Sequence, residues 1–204
     1  MENERSGKLY TLADKAADLT ILGLLWMVTS LPIITFGTSC TALYYTVAKS
    51  IRYGKGKPVR EYFRAWRGNA VQGCIITLFY LLFGGIILTI AKAAKGQGVF
   101  LIILVPVILL TSSGIYLFPL LSRFTLSVWK YFQVSVFFAI KYAPKTGLLL
   151  FTYLLCVLVF CIFPFLLPIL ISFYTLYSTY LIEGIFKEYI DPSGIHGGEW
   201  YMGE

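Results

Sequence analysis

The acid set most deeply in an apolar stretch is Glu183, in YLIEGIF. A carboxylate in that setting is by default a functional candidate, lining a path through the membrane, although its closeness to Lys187 also suits a place among headgroups. Tyr174, Tyr177 and Tyr180 recur every third residue upstream of it. With Tyr44 and Tyr45 they are suited to line a cleft that touches sugar or lipid by stacking and hydroxyl bonding, or to form an interfacial belt. Arg60, Arg64 and Arg67, spaced four and three apart, share a helix face and suit lipid phosphates or a docking partner. Tyr62 and Trp66 stand beside them and give the same segment rings for the acyl boundary.

Other chemistry has no visible machinery. His196 is the single histidine and sits in a glycine-rich tail. Cys40, Cys74, Cys156 and Cys161 lie in apolar or semi-apolar segments without CxxC spacing, which argues against a zinc site or a disulfide framework. No Ser-His-Asp set, paired-carboxylate cluster, Walker sequence or GxGxxG opening a helix is present. The expectation is a protein that is not an enzyme and needs no metal or cofactor.

The elements that hold these residues follow from composition. In 204 residues, 58% are hydrophobic and 13% charged, with mean hydropathy +0.76. A soluble domain has about 25% charged residues, so the chain reads as one integral membrane domain. Its net charge of +7 is concentrated beside apolar segments, which favours anionic lipid over nucleic acid. The stretch KSIRYGKGKPVREYFRAWRGN, Lys49 to Asn69, holds seven of the seventeen basic residues and one acid, Glu61.

Taken in order, residues 1–18 contain an amphipathic helix suited to a surface, Ser6 to Asp18. Leu19 to Phe36 is an uncharged run of eighteen residues, about 27 Å as a helix. Pro32 and Gly37 interrupt its end, so 19–53 is either one kinked span or a hairpin whose second arm is re-entrant. Residues 54–69 form a basic interfacial helix beginning at Pro58, with Val59, Tyr62, Phe63, Trp66 and Ala70 on its greasy face. Spans follow at 70–91, 99–121, 147–163 and 168–186, then a polar tail, 187–204. Gly73, Gly84 and Gly85 in the first of these are candidates for close helix approach. Between 121 and 147, Arg123, Ser127, Lys130 and Val134 make a polar stripe at helical spacing. The fold expected is all-α: a polytopic transmembrane bundle of about five spans with one or two interfacial amphipathic helices. Lysine and arginine place the connections Lys49–Arg67 and Arg123–Lys145 and the C-terminus in the cytoplasm, with Lys92–Gly98 outside. A rough internal similarity relates Pro32–Leu82 to Pro119–Phe160.

LADKAADLTILGLLWMVTSLPIITFGTSCTALYY, from Leu12 to Tyr45, resembles the YesL-like family of small bacterial integral membrane proteins, a domain of unknown function. Trp26, Leu31-Pro32, Thr35, Gly37 and Ala42-Leu43-Tyr44-Tyr45 carry the likeness, followed by the aromatic-basic helix ending in Asn69, YLFPLLSRF at Tyr116–Phe124, and FKEY at Phe186–Tyr189. The resemblance implies an origin in Gram-positive bacteria and an association with carbohydrate uptake through ATP-driven importers. It implies no catalytic residues. Permease subunits of such an importer are the partners it suggests, for an accessory role; a small transporter or channel in its own right is the alternative. Gly23 departs from the family, where asparagine is expected, which puts a polar contact between spans in doubt.

Overall fold

A computed structural model describes residues 2–93 and 99–189, and Lys95, Gln97, His196 and most of the polar tail lie outside that range. Among the described residues the chain is all helix, with eight α-helices and no strand. Four stretches are long and apolar enough to cross a membrane: Ala70–Lys92, Ile103–Arg123, Ala143–Ile162 and Pro164–Phe186.

Helix α1 (Glu2–Ser30) is continuous, so the segment expected to lie along the surface joins the first apolar run in one helix. After Pro32 and a single 3-10 turn at Ile33–Thr35, α2 (Phe36–Thr46) doubles back beside α1. Trp26 Nε1 lies 3.4 Å from Cys40 Sγ, fourteen residues on, a separation that a straight helix would stretch to about 21 Å. Residues 19–53 therefore form a hairpin. Its tip needs partners for backbone groups that no water reaches in a bilayer. Thr35 Oγ1 donates to the carbonyls of Thr29 (2.7 Å) and Pro32 (2.8 Å), and the Gly37 N–H donates to Thr77 Oγ1 at 2.9 Å, so a side chain forty residues away caps α2.

A π-helical turn, Val47–Arg52, ends the hairpin. Gly54 (φ 67°) and Gly56 (φ 88°) then take left-handed conformations open to glycine at little cost, reversing the chain. Helix α3 (Pro58–Gly68) starts with proline where no N–H is needed and packs along α2. One residue, Asn69, separates it from α4 (Ala70–Ala93). Helix α5 (Val99–Arg123) returns beside α4, and α6 (Val128–Lys141) packs on α5. Tyr142 separates α6 from α7 (Ala143–Ile162), and a 3-10 turn at Pro164–Leu166 leads into α8 (Leu167–Phe186). The polar stripe expected across Arg123 to Val134 is interrupted, because α5 stops at Arg123 and 124–127 is a connection in which Tyr131 Oη donates to the Phe124 carbonyl and accepts from the Leu126 N–H.

Close crossings fix the packing. A Cβ on Gly23 would lie 1.9 Å from the Pro168 carbonyl oxygen, so α1 and α8 meet backbone to backbone and no asparagine fits there. A Cβ on Gly73 would meet Thr38 Cα at 2.8 Å, and one on Gly37 the Gly73 carbonyl at 2.8 Å. Gly84 and Gly85 have nothing within 4 Å, so of the three glycines in that span only Gly73 serves as a contact.

A likeness in another register than Pro32–Leu82 with Pro119–Phe160 is visible where two hairpins end. Ser50-Ile51-Arg52-Tyr53 closes the first hairpin and Leu121-Ser122-Arg123-Phe124 the second, and each precedes a helix carrying Tyr-Phe, Tyr62-Phe63 in α3 and Tyr131-Phe132 in α6. Both tyrosines are fully buried, and both arginines reach α8, at the Thr179 carbonyl and at Glu183.

Candidate functional site

Glu183 is buried near the end of α8. Arg123, the last residue of α5, forms an ion pair with it through Nη2 and donates from Nε to Oε1 at 3.0 Å; the two side chains are 2% and 3% exposed. Tyr44 Oη on α2 donates to the same oxygen at 3.1 Å. Three helices are thereby tied to one carboxylate. A charge in such a place is stable only with its partner present, because leaving either alone costs several kcal/mol. Sequence reasoning placed Arg123 in a basic connection and missed its partner. The available signal was a single acid and a single arginine, each at the end of an apolar helix.

Next to this pair lies a partly open cavity of about 320 Å³ lined by α1, α2, α4, α5, α7 and α8. Tyr44 and Tyr174 both line it, with Tyr153, Tyr80, Phe118 and Trp26. Tyr174 Oη is buried without a hydrogen-bond partner. Tyr177, expected to share a path with Tyr174, turns instead into the packing among α5, α6 and α8. Tyr180 is exposed and lies under Arg52, whose guanidinium carbon is 4.7 Å from the ring centre. Tyr45 accepts a hydrogen bond from Lys49 Nζ at 3.3 Å. The structure thus brings Glu183, Tyr44 and Tyr174 to one region and leaves Tyr177 and Tyr180 outside it.

Helix α3 forms the second candidate surface. Arg60, Arg64 and Arg67 are exposed, beside exposed Val59 and Phe63, and Trp66 is half-buried. Tyr62 does not face lipid: it is fully buried, with its hydroxyl 2.6 Å from Thr29 Oγ1, because the helix presents Glu61, Tyr62 and Ala65 to the hairpin beneath. Burial, tempered by the Thr29 contact, pushes its phenol up to about 12. Glu61 Oε2 pairs with Lys49 Nζ at 2.7 Å, which anchors the helix to the π-turn. The cationic face is held by a buried tyrosine and an ion pair. Among the described residues no group of three or more histidine, cysteine, aspartate or glutamate side chains is placed to hold a metal, and the four cysteines are free thiols.

A family model described as a protein of unknown function, DUF624, matches residues 19–89. That segment comprises the apolar part of α1, the hairpin, α3 and most of α4. Neither curated proteins nor solved structures match the chain.

Proposed function

We propose that this chain is a YesL-like accessory of carbohydrate uptake, a non-enzymatic multi-pass membrane protein whose α3 docks at the cytoplasmic face against an ATP-driven importer's permease and the anionic lipid around it. The observation that carries this reading is the mounting of α3. Three arginines face outward on a short helix whose opposite side is fixed by Tyr62, Ala65 and the Lys49–Glu61 pair, so their spacing is set before any partner arrives. Each basic residue near an anionic leaflet contributes about 1 kcal/mol, and a preorganised set loses little entropy on docking. The resemblance over Leu12–Tyr45 supports the carbohydrate context.

Co-purification from native membranes tests it. Tagged wild type should bring down importer subunits, and Arg60→Gln/Arg64→Gln/Arg67→Gln should release them while leaving the thermal midpoint unchanged, since all three side chains are exposed. A wild-type monomer free of importer subunits refutes the reading.

The cavity beside Glu183 is the specific observation favouring the second reading, a small transporter in its own right. There, uptake into proteoliposomes should fall in Glu183→Gln; unchanged uptake removes Glu183 from the path.

A further inference from the structure

The walls of the cavity describe their own guest. They are mostly ring and aliphatic carbon, and the serine and threonine hydroxyls among them already spend their protons on their own helices. Thr111 donates to the Val107 carbonyl (2.8 Å), Thr175 to Ile171 (2.7 Å), Ser178 to Thr175 (2.7 Å) and Thr77 to Gly73 (2.8 Å), while Tyr80 shares its proton with Ser113 (2.9 Å). No charged side chain lines the space. The Arg123–Glu183 pair next to it neutralises itself, and Tyr44 stands between, its hydroxyl turned to the carboxylate. The buried polar atom of the wall without a partner is Tyr174 Oη, whose ring lies 6.0 Å from that of the more exposed Tyr153.

That inventory discriminates among ligand classes. An ion meets no opposite charge. A sugar ring carries several hydroxyls, and each one buried without a partner costs about 1–3 kcal/mol, against two uncommitted phenols here, Tyr174 and the more exposed Tyr153. A hydrocarbon chain gains from every wall it covers, at about 25 cal/mol per Å². The outer surfaces of the flanking helices are apolar too, with Ile108 and Leu109 on α5 and Leu154 on α7 exposed, so the chain's source is the surrounding bilayer.

We propose that this cavity binds the hydrocarbon chain of a neutral lipid or amphiphile, whose ester or hydroxyl oxygen accepts a hydrogen bond from Tyr174 Oη. The site is separate from the outward face of α3, so it stands or falls independently of the docking reading.

Trp26 is in the wall and serves as reporter once Trp66, Trp129 and Trp200 are replaced by phenylalanine. In detergent micelles, a brominated fatty-acid methyl ester should quench Trp26 saturably. Gly114→Phe should weaken that quenching on the order of tenfold by filling the space, whereas Gly114→Ala, whose Cβ would sit at an ordinary 3.4 Å from Tyr80 Oη, should retain it. Thr111→Phe is a second filling variant should Gly114→Phe not elute as a folded monodisperse peak. Tyr174→Phe should weaken the ester about fivefold and leave a brominated alkane unaffected. Linear, non-saturating quenching that is identical in the filled variants overturns the proposal. So does saturable quenching relieved by mono- or disaccharides and not by unbrominated ester.

Discussion

A carboxylate and a guanidinium buried together stabilise a fold only as a pair, and Arg123–Glu183 is such a pair, with Tyr44 as a third member. Removing one partner leaves the other as an uncompensated charge, so Glu183→Gln and Arg123→Met should each cost about 3–5 kcal/mol. The double variant Arg123→Met/Glu183→Leu should recover most of that loss, because neither ion then has to be desolvated. Thermal midpoints of the three variants in detergent check this; equal losses in all three would mean that packing rather than charge is what fails. The fate of Glu183 was half legible. Hydropathy found the acid, but pairing it with Arg123 requires the ends of α5 and α8 to meet, a relation across 60 residues that no local spacing encodes. Tyr62 illustrates the converse. Its helical position put it with Phe63 and Trp66 on one greasy face, yet a helix packed on a hairpin divides that face, burying Tyr62 and leaving Phe63 outside.

At the scale of elements, the helices were readable because runs of about twenty apolar residues admit little else, and prolines 58, 144, 164 and 168 sit in first turns where their missing N–H does no harm. How helices cross was not readable, since a glycine looks the same whether a backbone or open lipid lies opposite. The structure separates the cases. Gly23→Ala should lower stability by at least about 2 kcal/mol, as its methyl group meets the Pro168 carbonyl and α8 cannot yield without moving Ser172 as well. Gly84→Ala, with open space around it, should be neutral or stabilising by up to about 1 kcal/mol through helix propensity. If unfolding midpoints put the two substitutions on a par, the α1–α8 crossing is wrong. The start of α2 gives a second contrast: Thr77→Val removes the acceptor for the Gly37 N–H and should cost about 1–2 kcal/mol, while Thr77→Ser keeps the oxygen and should cost less than half as much.

The molecule as a whole is three hairpins, α1–α2, α4–α5 and α7–α8, with α3 and α6 carrying the chain from one to the next. The first hairpin is short. Its ascending apolar arm, Leu19–Ser30, is about 18 Å long, too little for a hydrocarbon core of about 30 Å, whereas α4 at 24 residues is ample. A hairpin that enters and leaves by one face, followed by two that cross and return, puts all the hairpin bases on a single side. Lys49, Lys55, the α3 arginines, Lys130 and Lys141 gather there, and Lys92 is at the opposite end of α4. We propose, on the lysine and arginine bias of short connections, that the crowded side is the cytoplasmic one. After alanine replaces Cys40, Cys74, Cys156 and Cys161, a membrane-impermeant maleimide applied to intact cells should label Lys92→Cys and Phe165→Cys, the latter position 74% exposed in the turn before α8. It should label Lys55→Cys and Lys130→Cys only after the cells are opened. Labelling of Lys55→Cys in intact cells would put α3 on the outer face, where its arginines meet no cytoplasmic partner, and would end the docking reading while leaving the hydrocarbon cavity untouched.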